Sequence, residues 1–400
     1  MINKKRGRKI KHTRSLYKRK KSASRIALSW VILFVVLGGT GFLGYSIAPP
    51  VIDFFKNFGN DDKSSEDVWT PPEVSSSIID SSSASDSKND TIIAENIKTY
   101  ELPVQALLNE QALKTALNTA KSQGFTNVSA PLKIAGGELY FKTTNPTAVT
   151  SKAVKGALTA ADIARIIKES GLVPVAKMSI LNDNLAPRAD YLIGYKFEKE
   201  ESMWLDDYPE KGGKPWISPF SQQAKTYITQ LVNEVSAAGF STIIASDLIF
   251  PEFSANDLGY IGAIVKDTNR YKALTSMAQL IKTEADKSKI NTQIQISALE
   301  AIVGKSEVLV PAELNGIALS FRIDLKSATG KIKTKAGAEI DFTSMSAYDR
   351  TKAMIEQCSL VSGNTKFIPS LSITGLSEDD INQAKKAFDD LGYKSYTFVQ

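Results

Sequence analysis

The chain is nearly devoid of cysteine and histidine: among 400 residues there is one of each, Cys358 and His12. A single thiol excludes an intramolecular disulfide. His12 lies in a basic stretch at the N-terminus, so the rest of the chain has no imidazole for a Ser-His or Cys-His nucleophilic site and no Cys/His cluster for zinc. No metal site and no cofactor is expected, and any catalysis falls to carboxylates, lysine, tyrosine or hydroxyls. Acid is absent from the first 25 residues, which hold twelve of the 49 Lys and Arg. The formal net charge of +6 therefore belongs to this tail, and the remainder of the chain carries −6.

Residues 26–48, IALSWVILFVVLGGTGFLGYSIA, carry no charge. At about 1.5 Å per residue the run spans a hydrocarbon core about 30 Å thick, and one transmembrane helix is predicted. The alternative is a cleaved signal peptide, for which Ser46-Ile47-Ala48 resembles a cleavage site. The length of the apolar run and Pro49 directly after it favour the anchor. The positive-inside rule then places residues 1–25 in the cytoplasm and the C-terminal part outside, giving a single-pass cell-membrane protein with an extracellular domain. The basic tail serves topology and also offers anionic lipid a surface, each cation contributing about 1 kcal/mol; nucleic acid is not an expected partner. GTGFLG lies inside the apolar run, where glycines serve packing, and is not read as a nucleotide loop. Residues 49–98, with SSSIIDSSSASDSKND at their centre, are too poor in apolar side chains to offset ordering entropy and are predicted to form a disordered stalk.

From residue 99 onward one unit recurs: a polar-capped amphipathic helix, a glycine, an apolar residue and a β-branched strand. The copies are NEQALKTALNTAKSQGFTNVSAPL, TAADIARIIKESGLVPVAKMSI, SQQAKTYITQLVNEVSAAGFSTIIASDLIF and SEDDINQAKKAFDDLGYKSYTFV. Thr159, Ser221 and Ser377 stand at N-cap positions, with Asp162 and Asp380 three residues on as capping-box partners. Gly124, Gly171, Gly239 and Gly392 stand where a left-handed residue ends a helix. Alternating helices and strands imply crossover units and a parallel sheet. With ELPVQALLN, QIQISALEA, NGIALSFRID and TKFIPSLSI, eight strands are predicted, and the fold class is α/β, a (β/α)8 TIM-like barrel over residues 99–400.

In such a barrel the site lies on the loops after the strands' C-terminal ends. The candidates there are Lys133, Asp183, Ser246 and Asp247, Glu252, Glu300, Arg322 and Asp324. Trp204 and Trp216 fall in an insertion, SMWLDDYPEKGGKPWISPF. Two readings of them stand: rings that stack on a sugar face, or rings that pin the loop to the rim. Asp206 and Asp207 on the same insertion are read as solvated acids, and SEDD at Ser377 as a helix cap.

The segment order over residues 98–400 resembles a bacterial family of glycoside-hydrolase-like extracellular TIM barrels, distantly similar to amylase-like enzymes. AKMSILNDNLAP resembles the family's A-R-I-V-x-F-K-D-x-x-L-A strand. GGKPWISPFSQQAKTYITQLVNEVSAAGFSTIIASDLIFP resembles its W-x-N-P-Y…G-F-x-x-I-Q-F-D-Y-I-R-F-P block through Trp216, Pro219, Tyr227, Gly239, Phe240, Phe250 and Pro251. Departures fall at the strand tips. Ser246 replaces the family's Asp, with Asp247 one place later, and Ile249 replaces its Arg. Pro131 precedes Leu132-Lys133 where the family has Asp, Leu299 stands at another Asp with Glu300 adjacent, and ALSFRIDLKS replaces the P-M-x-Y-P-S-H-Y tip. Asp183 alone keeps its place. A one-residue shift on a strand reverses the face, so Asp247 substitutes for the lost carboxylate only if the backbone re-aims it.

The resemblance implies a carboxylate-pair glycosidase acting on envelope or extracellular polysaccharide. Its candidate acids are Asp247, paired with Glu300 or Asp183, and Glu252 in reserve; Lys133, Trp204, Trp216, Arg322 and Asp324 are candidate substrate contacts. The competing reading is a catalytically inactive barrel that binds glycan, such as cell-wall polysaccharide, or an envelope protein.

Overall fold

A computed structural model describes residues 96–400, apart from 200, 201, 263, 264, 266–269, 306, 307, 315, 364 and 365. The predicted tail, membrane helix and stalk lie outside the described residues up to residue 95. Among the described residues no helix is long and apolar enough to cross a membrane.

Eight strands close into a barrel. They are β1 (Lys98–Glu101), β2 (Asn127–Lys133), β3 (Val173–Ser179), β4 (Thr242–Ser246), β5 (Asn291–Ser297), β6 (Ala318–Ile323), β9 (Phe367–Ser372) and β10 (Tyr396–Val399). A two-stranded antiparallel hairpin, β7 (Lys331–Lys333) with β8 (Glu339–Asp341), is inserted after β6. The order around the barrel is β1-β10-β9-β6-β5-β4-β3-β2, and every barrel neighbour is parallel. Closure comes from β1 pairing with β10, Lys98 opposite Tyr396 and Tyr100 opposite Phe398.

The predicted helix ends are found as expected. Thr159 and Ser377 form capping boxes with Asp162 and Asp380, and the Ser221 hydroxyl accepts from the Ala224 N–H. Gly124, Gly171, Gly239 and Gly392 all have positive φ. The helices Ala160–Glu169, Gln222–Ala237, Tyr271–Lys287 and Glu378–Asp390 turn their buried apolar residues onto the barrel. There they meet outward strand residues such as Ala176, Ile243, Ile294, Leu319 and Phe321, all nearly inaccessible. Full burial of one such branched or aromatic side chain contributes about 1.5–3 kcal/mol.

Two expected strands are shorter than read. In ELPVQALLN only Glu101 is strand; Pro103, with no N–H to give a ladder, starts a 3-10 turn over Val104–Leu108. QIQISALEA breaks at Ser297, whose hydroxyl caps the short helix Ala298–Val303 by accepting from the Glu300 N–H. Glu300 therefore belongs to a helical first turn and not to a strand tip.

The barrel interior is polar. Thr99, Glu101, Ser129, Lys177, Gln293, Gln295, Ser320, Ser370 and Thr397 are all buried, where barrels of this type usually pack branched apolar layers. The Ser320 and Ser370 hydroxyls bond at 2.5 Å, and Gln295 Nε2 donates to Ser370 Oγ at 3.4 Å. Replacing Thr159 with Ala removes the capping box that begins the helix Ala160–Glu169; a loss of about 1 kcal/mol in urea unfolding, with unchanged far-ultraviolet dichroism, is expected.

Candidate functional site

Asp247 follows β4 directly. Thr242, Ile244 and Ser246 share one face of that strand, so the next side chain in a regular strand faces the helices. Asp247 instead has φ +55, a left-handed conformation that Asp tolerates better than most residues. The backbone turn lets both Ser246 and Asp247 line one cavity of about 120 Å³, with Gln295, Ser297, Glu300 and Arg322. The Ser246 hydroxyl donates to Asp247 Oδ2 at 3.1 Å. The condition that the backbone re-aim Asp247 is met by one left-handed residue, and the pairing of β4 with its neighbours shows no register shift.

A second cavity of about 370 Å³ adjoins the first through Ser297, Glu300 and Arg322, and adds Lys305, Asp324 and Ile332 of β7. Lys305 Nζ stands 3.7 Å from Glu300 and 3.4 Å from Glu252. Glu252 is the more exposed, at 81% of its side chain against 33% for Glu300. Asp324 accepts from the Ser327 hydroxyl and the Lys326 N–H at 2.7 and 2.9 Å. Burial works against its charge, but these bonds and the nearby Arg322 hold its carboxyl below the usual range. Asp247, Glu300, Arg322 and Asp324 thus share one mouth, with Glu252 at its edge.

The other candidates are placed elsewhere. Asp183 and Lys133 form an ion pair at 3.0 Å with both side chains wholly buried. Asp183 Oδ1 accepts from the backbone N–H groups of Leu185 and Ala186, each at 2.8 Å, and Lys133 Nζ donates to the Ser179 carbonyl at 2.8 Å. Lys133 reaches this position through a register shift in β2 between Pro131 and Lys133. The pair joins the loops after β2 and β3, where Gly137, φ +101, leaves room for the carboxylate; a Cβ there would stand 2.1 Å from Oδ1. Tyr227 is buried nearby, and burial and then the Asp183 charge push its phenol well above the ordinary value. With no solvent contact, Asp183 and Lys133 act as a clamp on the rim, out of reach of a polymer.

Trp204 is 1% exposed, its ring against Tyr195 and Phe253 and its Nε1 donating to Asp257 at 3.1 Å. Trp216 is half-buried and donates to Asp206 at 2.9 Å. Both geometries fit the reading in which the two rings pin the insertion, and Asp206 and Asp257 are the pins' acceptors.

One buried pair was not among the candidates. Glu101, at the end of β1, meets Lys177 of β3 at 2.6 Å inside the barrel. Burial raises the Glu101 pKa; Lys177 and Arg322 oppose that shift, and Asp247 adds to it. The charges of Arg322 and Asp247 therefore reach this pair from the mouth above. The signal for it in the sequence is Lys177, a lone charge inside the otherwise uncharged β3, since unpaired charges are rarely buried.

An eight-stranded parallel barrel with acids and an arginine at its C-terminal mouth is a TIM barrel whose polar groups stand where this fold carries its sites. Residues 101–309, more than half of the chain, match the family DUF4015, described as "Putative glycosyl hydrolase domain", and the chain belongs to that family. No curated protein sequence matches it. The glycoside hydrolase domain of PgaB (BpsB) from Bordetella bronchiseptica is similar in fold, with 12% identity and a TM-score of 0.55 over 76% of this chain and 94% of that one. The catalytic domain of β-amylase from Paenibacillus polymyxa aligns at 11% identity and a TM-score of 0.46, over 77% of this chain and 93% of that one. An α-galactosidase from Thermus thermophilus aligns at 9% and 0.48, over 77% and 59%.

Two outcomes are expected. Asp183→Ala leaves the Lys133 ammonium buried without its partner and costs about 3–5 kcal/mol in urea unfolding, whereas Lys133→Met with Asp183→Leu costs clearly less. A buried carboxyl whose pKa is raised contributes stability that is complete below its unfolded value and is lost as pH rises through the folded one. Wild type should therefore lose stability relative to Glu101→Gln as pH rises above the ordinary glutamate range, as read from unfolding midpoints.

Proposed function

We propose that this chain is a membrane-anchored glycoside hydrolase that cleaves an envelope or extracellular polysaccharide at the C-terminal mouth of the barrel. The observation that carries the reading is the left-handed Asp247, which brings a carboxylate into one cavity with Glu300 and Arg322. A non-glycine residue held in that conformation stores about 1–3 kcal/mol of strain, and such strain gathers at functional sites.

In this reading Glu300, on the flank of the mouth, protonates the glycosidic oxygen as the bond to the leaving sugar breaks. Asp247 meets the positive charge that develops at the anomeric carbon, either by bonding to it or by taking a proton from the attacking water. Arg322 and Asp324 hold sugar hydroxyls beside the scissile bond, and Glu252 extends the acidic edge. Residues 26–48 anchor the chain, residues 1–25 face the cytoplasm and anionic lipid, and the stalk that leads to β1 gives the domain reach; the charge-free run and the basic tail support this part.

A second reading, a barrel that binds glycan without cleaving it, is favoured by Lys305, which stands 3.7 Å from Glu300 and competes with a glycosidic oxygen for that carboxylate. Release of reducing ends from purified cell-wall and capsular polysaccharides by the full-length chain in detergent separates the two. The hydrolase reading expects release by wild type and a fall in kcat of about 10²–10⁴ in Asp247→Asn and Glu300→Gln, both still folded. Glycan binding without any release by wild type is the result the binding reading expects.

A further inference from the structure

A separate cavity of about 160 Å³ opens at the other end of the barrel, among the first residues of the strands. It shares no lining residue with the cavities at the mouth. It exists because the inward side chains there are short: Thr99 of β1, Thr242 of β4, Ala318 of β6 and Thr397 of β10 leave the lower barrel less than filled.

We propose that this lower cavity is a binding site for a small neutral polyhydroxy ligand of the size of one hexose. Gln293 of β5 lines it, is 6% exposed, and its Nε2 has no hydrogen-bond partner among the described residues. A buried amide donor without a partner costs about 1–3 kcal/mol in general, and an acceptor in the cavity removes that cost. Asn127 and Asn291 add further amides, and Thr99, Thr242, Thr292 and Thr397 add hydroxyls that both donate and accept, as sugar hydroxyls do. Ile244, beside Gln293 in the sheet, and Ile368 add apolar surface to the lining, which suits the C–H face of a pyranose. The only charges on the lining, Lys282 and Asp286, pair with each other at 2.7 Å and leave no net charge to select an ion.

The test is calorimetric titration of the full-length chain in detergent with D-glucose. Saturable binding is expected with a dissociation constant on the order of 1 mM, a value in keeping with about 0.3 kcal/mol per heavy atom. Gln293→Leu should weaken it at least about tenfold, the loss of one buried hydrogen bond. Ala318→Leu, which keeps the amide and fills the space, should abolish it, while Asp247→Asn at the far mouth leaves it unchanged. If Gln293→Leu fails to fold, Ala318→Leu decides. Absence of saturable binding in wild type, binding that survives Ala318→Leu, or binding lost in Asp247→Asn overturns the proposal.

Discussion

Everything at the mouth depends on the pairing of β1 with β10. Those few backbone hydrogen bonds join the two ends of the described chain and turn a sheet into a ring. In a ring of parallel strands all C-terminal ends meet on one rim, so residues as distant in sequence as Glu101, Asp247 and Arg322 come within reach of one another's charge. An open sheet of the same strands spreads these residues along a line.

The ring is divided in its use of charge. On the side of β2 and β3, Lys133 and Asp183 neutralise each other away from water and tie two loops together. Trp204 and Trp216 fasten the adjoining insertion through Asp257 and Asp206. On the side of β4 to β6, Asp247, Glu300, Arg322 and Asp324 remain around connected cavities. A buried pair loses most of its stabilising effect to desolvation but penalises any arrangement that separates the partners, so the sealed side lends geometric definition to the open one. The Glu101–Lys177 pair lies beneath the mouth and adds opposite charges to its floor.

Much of this architecture is legible in the sequence. Thr159, Ser221 and Ser377 announced helix starts because a cap is a local hydrogen bond, and Gly124, Gly171, Gly239 and Gly392 announced helix ends because a left-handed turn is a local conformation. Those boundaries mark four of the strands; the other four rest on their own apolar runs. Less legible were Glu300, whose place on a helix follows from the Ser297 cap, and Asp183, whose matching position in the family pattern gave no sign of its burial. Glu101 was missed because the sequence did not show that β1 and β3 bring it against Lys177 across the intervening strand.

The sequence by itself determined the kind and order of elements and the scarcity of thiol and imidazole that leaves carboxylates, lysine, tyrosine and hydroxyls for any chemistry. Those properties depend on neighbours within a few residues or on composition alone. Only the tertiary structure decided which carboxylates face the mouth and which are sealed. That choice rests on strand register, on a shift in β2 and on one left-handed residue after β4, and each of these acts through partners far away in the chain.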